Sequence, residues 1–223
     1  MTAIVLQARL DSTRLPGKSL LLLDGKPLIF RVMEALNQIK ADSRILACPE
    51  DSLAPFAPLA EEAGFKLFAG PKEDVLERYC QVIRKYSINR VIRATGDNPF
   101  VFTDAAVALN SEAESLGADY AGYGELPYGA GVESVSADAL LRAEAETSLP
   151  FDREHVCPYL YNHPQLFKVH RPAAPQKWQG TDIRLTVDTQ EDFDRAEKLY
   201  AALKNEPKKY HGEVIINLYN KLL

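Results

Sequence analysis

Residues 3–18 read Ala-Ile-Val-Leu-Gln-Ala-Arg-Leu-Asp-Ser-Thr-Arg-Leu-Pro-Gly-Lys. The segment Ala3–Ala8 has the length and apolar content of a strand buried on both faces. It gives way to a short polar loop that holds Arg9, Arg14 and Lys18. Three cations so close together are poor material for a core. They suit an anion, because phosphate oxygens need fixed donors and positive charge. A strand that opens the chain and then releases a basic, Gly-containing loop is where α/β folds hold nucleotide phosphates.

Outward from that loop, short apolar runs alternate with helical periodicity. Pro27–Lys40 is predicted helical, with Leu28, Val32, Leu36 and Ile39 on one face and Pro27 near its start. Strands are expected at Arg44–Cys48, Lys66–Phe68 and Val91–Ala94, and helices at Leu53–Ala63, despite Pro55 and Pro58, and at Glu73–Tyr86. Thr103 and Asp104 are placed to cap a helix running to about Leu116. Such alternation implies a mostly parallel sheet with helices on both faces, a three-layer α/β sandwich. The second half is less regular. Gly122–Gly131 is rich in Gly and Tyr; Val132–Ser136 and Ile183–Val187 read as strands; Asp138–Thr147, Asp152–Asn162 (interrupted by Pro158), Glu191–Leu203 and Glu213–Leu222 read as helices. Residues 172–181 form a loop rich in Pro, Gln and Gly.

The chain has 223 residues, 46% of them hydrophobic, enough for the core of a single domain. The net charge of −5 lacks the broad basic field of a nucleic-acid binder, so the N-terminal cations are a local feature. No apolar run is long enough to span a membrane, and Leu20–Leu23 is too short for a signal-peptide core. Cys48, Cys80 and Cys157 are odd in number and widely spaced, which argues against a disulfide framework or a metal finger and for a reducing cytoplasm.

A P-loop would need glycine where Ser12 stands, and Pro16 removes a backbone N–H from the loop. No Gly-x-Gly-x-x-Gly is present, which argues against a dinucleotide fold. A solvated surface loop is the plain alternative. The rest of the chain adds carboxylates at strand ends: Asp97 in Arg-Ala-Thr-Gly-Asp-Asn-Pro (93–99), and Asp188 in Thr-Val-Asp-Thr (186–189). In a parallel sheet both can face the crevice that the first loop lines. Two carboxylates with phosphate oxygens and water would suit Mg²⁺. Taken singly, Asp97 is also good turn material and Asp188 a good helix cap.

These motifs, with Gly-Pro-Lys-Glu-Asp-Val-Leu-Glu-Arg-Tyr (70–79) and Asp-Arg-Glu-His-Val (152–156), resemble in order and over nearly the whole chain the sugar cytidylyltransferases. That family includes the KDO and acylneuraminate cytidylyltransferases, and the likeness is strongest to its spore-coat polysaccharide biosynthesis protein F branch. The resemblance implies a nucleotide-diphosphosugar transferase fold of the GT-A type. Residues 1–119 would form the nucleotide-binding half and residues 120–223 the acceptor-binding, closing half. It implies transfer of CMP from CTP to a sugar acid or related sugar, with Mg²⁺ and release of pyrophosphate, in surface polysaccharide biosynthesis.

By the same likeness, Gln7 and Ala8 would lie against cytosine, and Arg9, Arg14 and Lys18 would hold the triphosphate. Ser12, Thr13, Gly17, Arg93, Thr95 and Gly96 would complete the nucleotide site. Lys18, Arg14 and Asp97 would carry the chemistry, with Asp97 and Asp188 on the metal. Tyr128, Glu133, Arg153, His155 and Arg184 would meet the acceptor. Two positions depart from the branch near the acceptor pocket: Gly131 stands where an aspartate is usual and Leu185 where Trp is common. A homodimer is expected from the likeness alone. The competing readings are a GT-A glycosyltransferase that consumes a nucleotide-sugar and a catalytically silent nucleotide-binding protein.

Overall fold

The computed structural model describes residues 1–222. The first half contains β1 (Thr2–Gln7), β2 (Leu22–Leu23), β3 (Lys26–Pro27), α1 (Leu28–Leu36), β4 (Ser43–Pro49), α2 (Leu53–Ala63), β5 (Lys66–Gly70), α3 (Val75–Tyr86), β6 (Arg90–Thr95) and α4 (Thr103–Leu116). The second half contains β7 (Tyr120–Ala121), β8 (Glu133–Ser136), α5 (Ala137–Glu146), α6 (Pro150–His155), α7 (Pro158–Asn162), β9 (Val169–His170), α8 (Gln190–Leu203) and α9 (Gly212–Leu222).

Seven strands form one sheet in the order β5-β4-β1-β6-β8-β7-β9. β1 lies parallel to both β4 and β6, and β4 parallel to β5. β8 runs antiparallel to β6 and β7, and β7 pairs parallel with β9, so the sheet is mixed but mostly parallel. The fully buried β1 explains its unbroken apolar run. Ala3 and Val5 face a core built with α3 and α5; Ile4 and Leu6 face one built with α1, α2 and α4. A third core, around Phe100, Phe102, Trp178, Leu185 and Tyr200, joins α8 and α9 to the first loop through Leu15.

The helix expected over Glu73–Tyr86 starts two residues in, at Val75, because the Asp74 side chain caps it by accepting the Glu77 N–H at 2.9 Å. Three differences from the sequence reading have local causes. The helix expected over Pro27–Lys40 ends at Leu36, and Pro27 lies in β3 instead. β2 and β3 form a hairpin around Asp24-Gly25, both at positive φ, the pairing that a type I′ turn demands. The helix expected over Asp152–Asn162 is two helices. Val156 takes a positive φ of 73° between them, and Pro158 opens the second, where its missing N–H costs nothing. Ile183–Val187 is not a strand. Its backbone pairs with loops, through a single bridge from Arg184 to Tyr128 and a Val187 N–H donated to Asp97 O at 2.8 Å.

Glu34 ties α1 to the C-terminal segment. Burial alone would raise its pKa. Hydrogen bonds from Lys209 (2.9 Å), Arg31 (3.0 Å) and the Tyr200 hydroxyl (3.0 Å) outweigh that and pull the carboxyl down to about 2 from an ordinary 4.5. A carboxyl with a depressed folded pKa contributes stability that is complete above the unfolded value and is lost as pH falls through the folded one. Glu34→Gln is therefore expected to lose on the order of 2 kcal/mol at pH 7, allowing for screening of a side chain 31% exposed. Its stability should also change less than the wild type's between pH 4.5 and 2, as read by urea unfolding across that window. No helix among the described residues is long and apolar enough to cross a membrane.

Candidate active site

A cavity of about 490 Å³ opens at the C-terminal ends of β1 and β6. Its floor is set by close approach of those ends. A Cβ added to Gly96 would lie 2.8 Å from the Ala8 Cβ and 3.2 Å from Gln7 O, so a larger residue would wedge the two strands apart. The loop after β1 is pinned rather than loose. Leu15 is buried in the third core; Ser19 Oγ donates to Arg9 O at 3.0 Å; the Leu15 N–H donates to Ser12 Oγ at 3.3 Å. Gly17, at φ 67°, turns the chain into the 3₁₀ turn Lys18–Leu20. It shapes the loop but does not line the cavity.

At the start of this turn Lys18 reaches across the strand ends. Its Nζ donates to Val187 O at 2.8 Å, to Asp188 Oδ1 at 2.9 Å and to Asp97 Oδ2 at 3.2 Å. Two acids far apart in the chain thus meet on one ammonium. Asp188, 6% exposed, also pairs with Arg14 Nη2 at 2.9 Å and Arg184 Nη2 at 2.6 Å. Asp192 holds this acid in place. Its carboxylate accepts the N–H groups of Asp188 and Thr189 at 3.0 and 3.1 Å, and hydrogen bonds from Arg184 and Arg195. Burial opposes ionisation of Asp192, but Arg184 and the two backbone N–H donors hold its pKa at about 2. Thr189 and Asp192 form a capping box at the start of α8, so a helix-start signal also orders the site.

Of the residues singled out in the sequence, Gln7, Ala8, Arg9, Ser12, Thr13, Arg14, Lys18, Arg93, Thr95, Gly96, Asp97, Asp188, Tyr128 and His155 line this one cavity. Four do not. Gly17 lies in the turn. Glu133 sits behind Arg93, paired with it. Arg153 binds Asp74 and donates to Glu144 O at 2.8 Å. Arg184 braces Asp188 and stacks on Tyr128 at 5.0 Å. Gly131 packs toward Leu126 and Leu185 is buried in the third core, so neither departure from the branch pattern lines the cavity.

Two residues of the 70–79 motif, given no role from the sequence, also stand at the site. Lys72 bridges Asp11 and Asp51 (2.7 Å to the latter), linking the first loop to the segment after β5. Arg78, 3% exposed, lines the cavity and donates to Pro71 O at 2.7 Å, but pairs with no carboxylate among the described residues. Its burial lowers its pKa, the cost of a guanidinium with no counter-charge. Arg9 likewise makes no ion pair among the described residues. The signal for Arg78 was its place one helical turn after the Asp74 cap, on the apolar side of α3.

A mixed, mostly parallel sheet whose strand-end cavity combines a basic loop with two convergent acids has the layout of a nucleotidyltransferase. The family model for cytidylyltransferases matches residues 3–217, and the chain belongs to that family. It is 33% identical over 218 residues to the spore coat polysaccharide biosynthesis protein SpsF of Bacillus subtilis, an alignment covering 95% of this chain and 91% of the relative. Its fold is that of a cytidylyltransferase from Leptospira borgpetersenii, with a TM-score of 0.90, 24% identity, and 99% and 94% of the two chains covered. The fold of CMP:2-keto-3-deoxy-manno-octonic acid synthetase, solved in complex with CTP, also matches, with a TM-score of 0.69 at 18% identity over 90% and 98% of the two chains.

Proposed function

We propose that this enzyme transfers CMP from CTP to a hydroxyl of a sugar acid or related sugar, releasing pyrophosphate, as a step in surface polysaccharide synthesis. The observation that carries the reading is the Lys18 clamp: a cation from the first loop held in the cavity by Asp97, just past β6, and Asp188, just before α8. The family supplies the cytidylyl chemistry, and the relative named for spore coat polysaccharide biosynthesis supports the pathway class.

In this reading the triphosphate lies along the loop. Arg9 and Arg14 bind its oxygens, and Arg78 gains the anionic partner it lacks. Lys18, whose three N–H groups are engaged by Val187 O, Asp188 and Asp97, would exchange an acid for the oxygens on which charge builds as the acceptor hydroxyl attacks the α-phosphorus in line and pyrophosphate departs. The protein orients the reactants and shields them from water; the phosphoryl chemistry needs no covalent intermediate.

The acids fit a hard divalent cation such as Mg²⁺. Asp97, Asp188 and Val187 O already converge three oxygens on a positive centre. No cluster of three metal-ligating side chains occurs among the described residues, so phosphate and water oxygens would have to complete the shell, as Mg²⁺ prefers. Asp97 and Asp188 would hold the ion, which when bound offsets charge on the phosphate oxygens.

The deciding assay measures pyrophosphate release from CTP and Mg²⁺ with a panel of sugar acids and neutral sugars. Release that depends on one acceptor is the expected result. No release with any acceptor, together with cleavage of a nucleotide-sugar, would assign a glycosyltransferase instead.

A further inference from the structure

The cavity sorts its charges by their origin in the chain. Its arginines and lysines come from the first loop, from the segment 70–79 and from β6. Its lining from the second half of the chain (Tyr128, Gly129, Glu154, His155, Thr186 and Asp188) holds two carboxylates and neither arginine nor lysine. The two second-half arginines expected to meet the acceptor are already engaged. Arg153 directs Nε (2.7 Å) and Nη2 to Asp74 and Nη1 to Glu144 O at 2.8 Å. Arg184 gives Nε to Asp192 at 3.1 Å and Nη2 to Asp188 at 2.6 Å. Arg93 is met by Glu133, and Lys72 by Asp11 and Asp51. The guanidiniums without an ion pair among the described residues, Arg9 and Arg78, belong to the loop and helix assigned above to the triphosphate.

The acids of that second-half wall differ. Asp188 is neutralised by Lys18, Arg14 and Arg184. Glu154, on α6, is exposed, lines the cavity and meets no cation among the described residues. An ionised carboxylate only accepts hydrogen bonds, so Glu154 calls for a donor. A sugar hydroxyl supplies one. A sugar-acid carboxylate supplies none and would bring a second negative charge to a wall without a free cation. Tyr128 stands in the same lining as a fixed platform. Its N–H donates to Ile183 O at 2.9 Å and its carbonyl accepts the Leu185 N–H at 2.8 Å, Arg184 packs on its ring, and the residue remains 62% exposed.

We propose that the acceptor is a sugar without a carboxylate, its hydroxyl groups bound by Glu154 and its ring laid on Tyr128. The inference rests on the CMP-transfer reading above and narrows its acceptor to sugars that are not acids.

Pyrophosphate release from CTP and Mg²⁺ is measured at about pH 8, where an imidazole carries little charge and cannot stand in for an arginine. Two sets of acceptors are compared: hexoses and N-acetylhexosamines, and the acids glucuronate, galacturonate, N-acetylneuraminate and KDO. The best neutral sugar should exceed every acid by at least roughly tenfold in kcat/KM. Glu154→Gln alters an exposed side chain and should leave the melting temperature in place. It should raise the KM of that sugar severalfold with kcat unchanged. Glu154→Arg should lower kcat/KM for the neutral sugar and narrow the gap to the acids severalfold, a shift in preference that a structural role for Glu154 would not produce.

An acid turned over as well as every neutral sugar, or better, overturns the inference and leaves CMP transfer standing. So does a neutral-sugar KM unmoved in Glu154→Gln, or a preference unmoved in Glu154→Arg. Wild-type protein that releases no pyrophosphate with either set would remove CMP transfer to a sugar itself, and this inference with it.

Discussion

Lys18→Ala is expected to fold, to bind CTP and to lose roughly a hundredfold in kcat, about 3 kcal/mol of transition-state stabilisation. The ammonium makes three hydrogen bonds to oxygens between 2.8 and 3.2 Å away, and no neighbouring cation shares all three. Arg14 and Arg184 remain on Asp188 in the variant, so that buried acid is still neutralised and the fold persists. Lys18→Arg should fare little better. A planar fork does not replace a compact ammonium in a nest of three acceptors. The measurement is steady-state pyrophosphate release at saturating CTP and acceptor. A kcat equal to the wild type's would remove Lys18 from the chemistry, whatever its effect on KM.

The second large effect is structural. Gly129 adopts φ +92°, where a side chain is strained. A Cβ there would also lie 2.6 Å from the Thr186 N and 2.9 Å from the Asn98 Oδ1. Those neighbours are not free to yield. Asn98 follows Asp97, its Nδ2 donates to Thr95 Oγ1 at 2.7 Å, and Thr186 lies two residues before Asp188. Gly129→Ala should therefore cost about 3 kcal/mol and lower the melting temperature by roughly 6–12 °C. The same displacement would pull Asp97 and Asp188 apart, so activity should fall even where the variant remains folded. Melting by circular dichroism and the pyrophosphate assay, run on one preparation, check both halves. A variant as stable as the wild type would show that the 128–130 segment moves without resistance.

The parts of the fold that were readable in the sequence share a property: their signal is local. The β1 run, the apolar side of α3 and the periodicity of α8 report burial on elements long enough to show a period. The β2–β3 hairpin has two residues in each arm, too few for any period. Its one signal is the Asp24-Gly25 pair, which the run Leu20–Leu23 overshadowed. Residues 183–187 alternate like a strand because their side chains face the third core alternately, yet no sheet edge lies beside them.

The candidate site divides in the same way. Asp97 stands just past β6 and was expected at the crevice because strand ends converge there in a parallel sheet; Asp188 follows no strand and reaches the same place because the Val187 N–H donates to Asp97 O. The partners that orient them were not readable. Asp192 looks like an ordinary capping residue, and only the return of residues 182–189 across the site turns its capping bonds into support for Asp188. Glu133 shows the limit most clearly. From sequence it was an acidic residue on the acceptor side; in the sheet it stands two strands from Gln7, and its carboxylate is spent on Arg93 and Tyr120. A one-dimensional reading gives no register between strands more than a hundred residues apart.

The three cysteines carry a practical consequence. Cys48, Cys80 and Cys157 are buried and unbonded, and burial raises the thiols of the first two to about 11 and about 12 and that of the third as well. Little thiolate forms at neutral pH, so native protein should resist iodoacetamide and stay active without reductant. Cys48 lies on β4, while Cys80 and Cys157 belong to the core on the α3 side. The order in which alkylation reaches them, followed by mass spectrometry over time, would record which face of the sheet opens first.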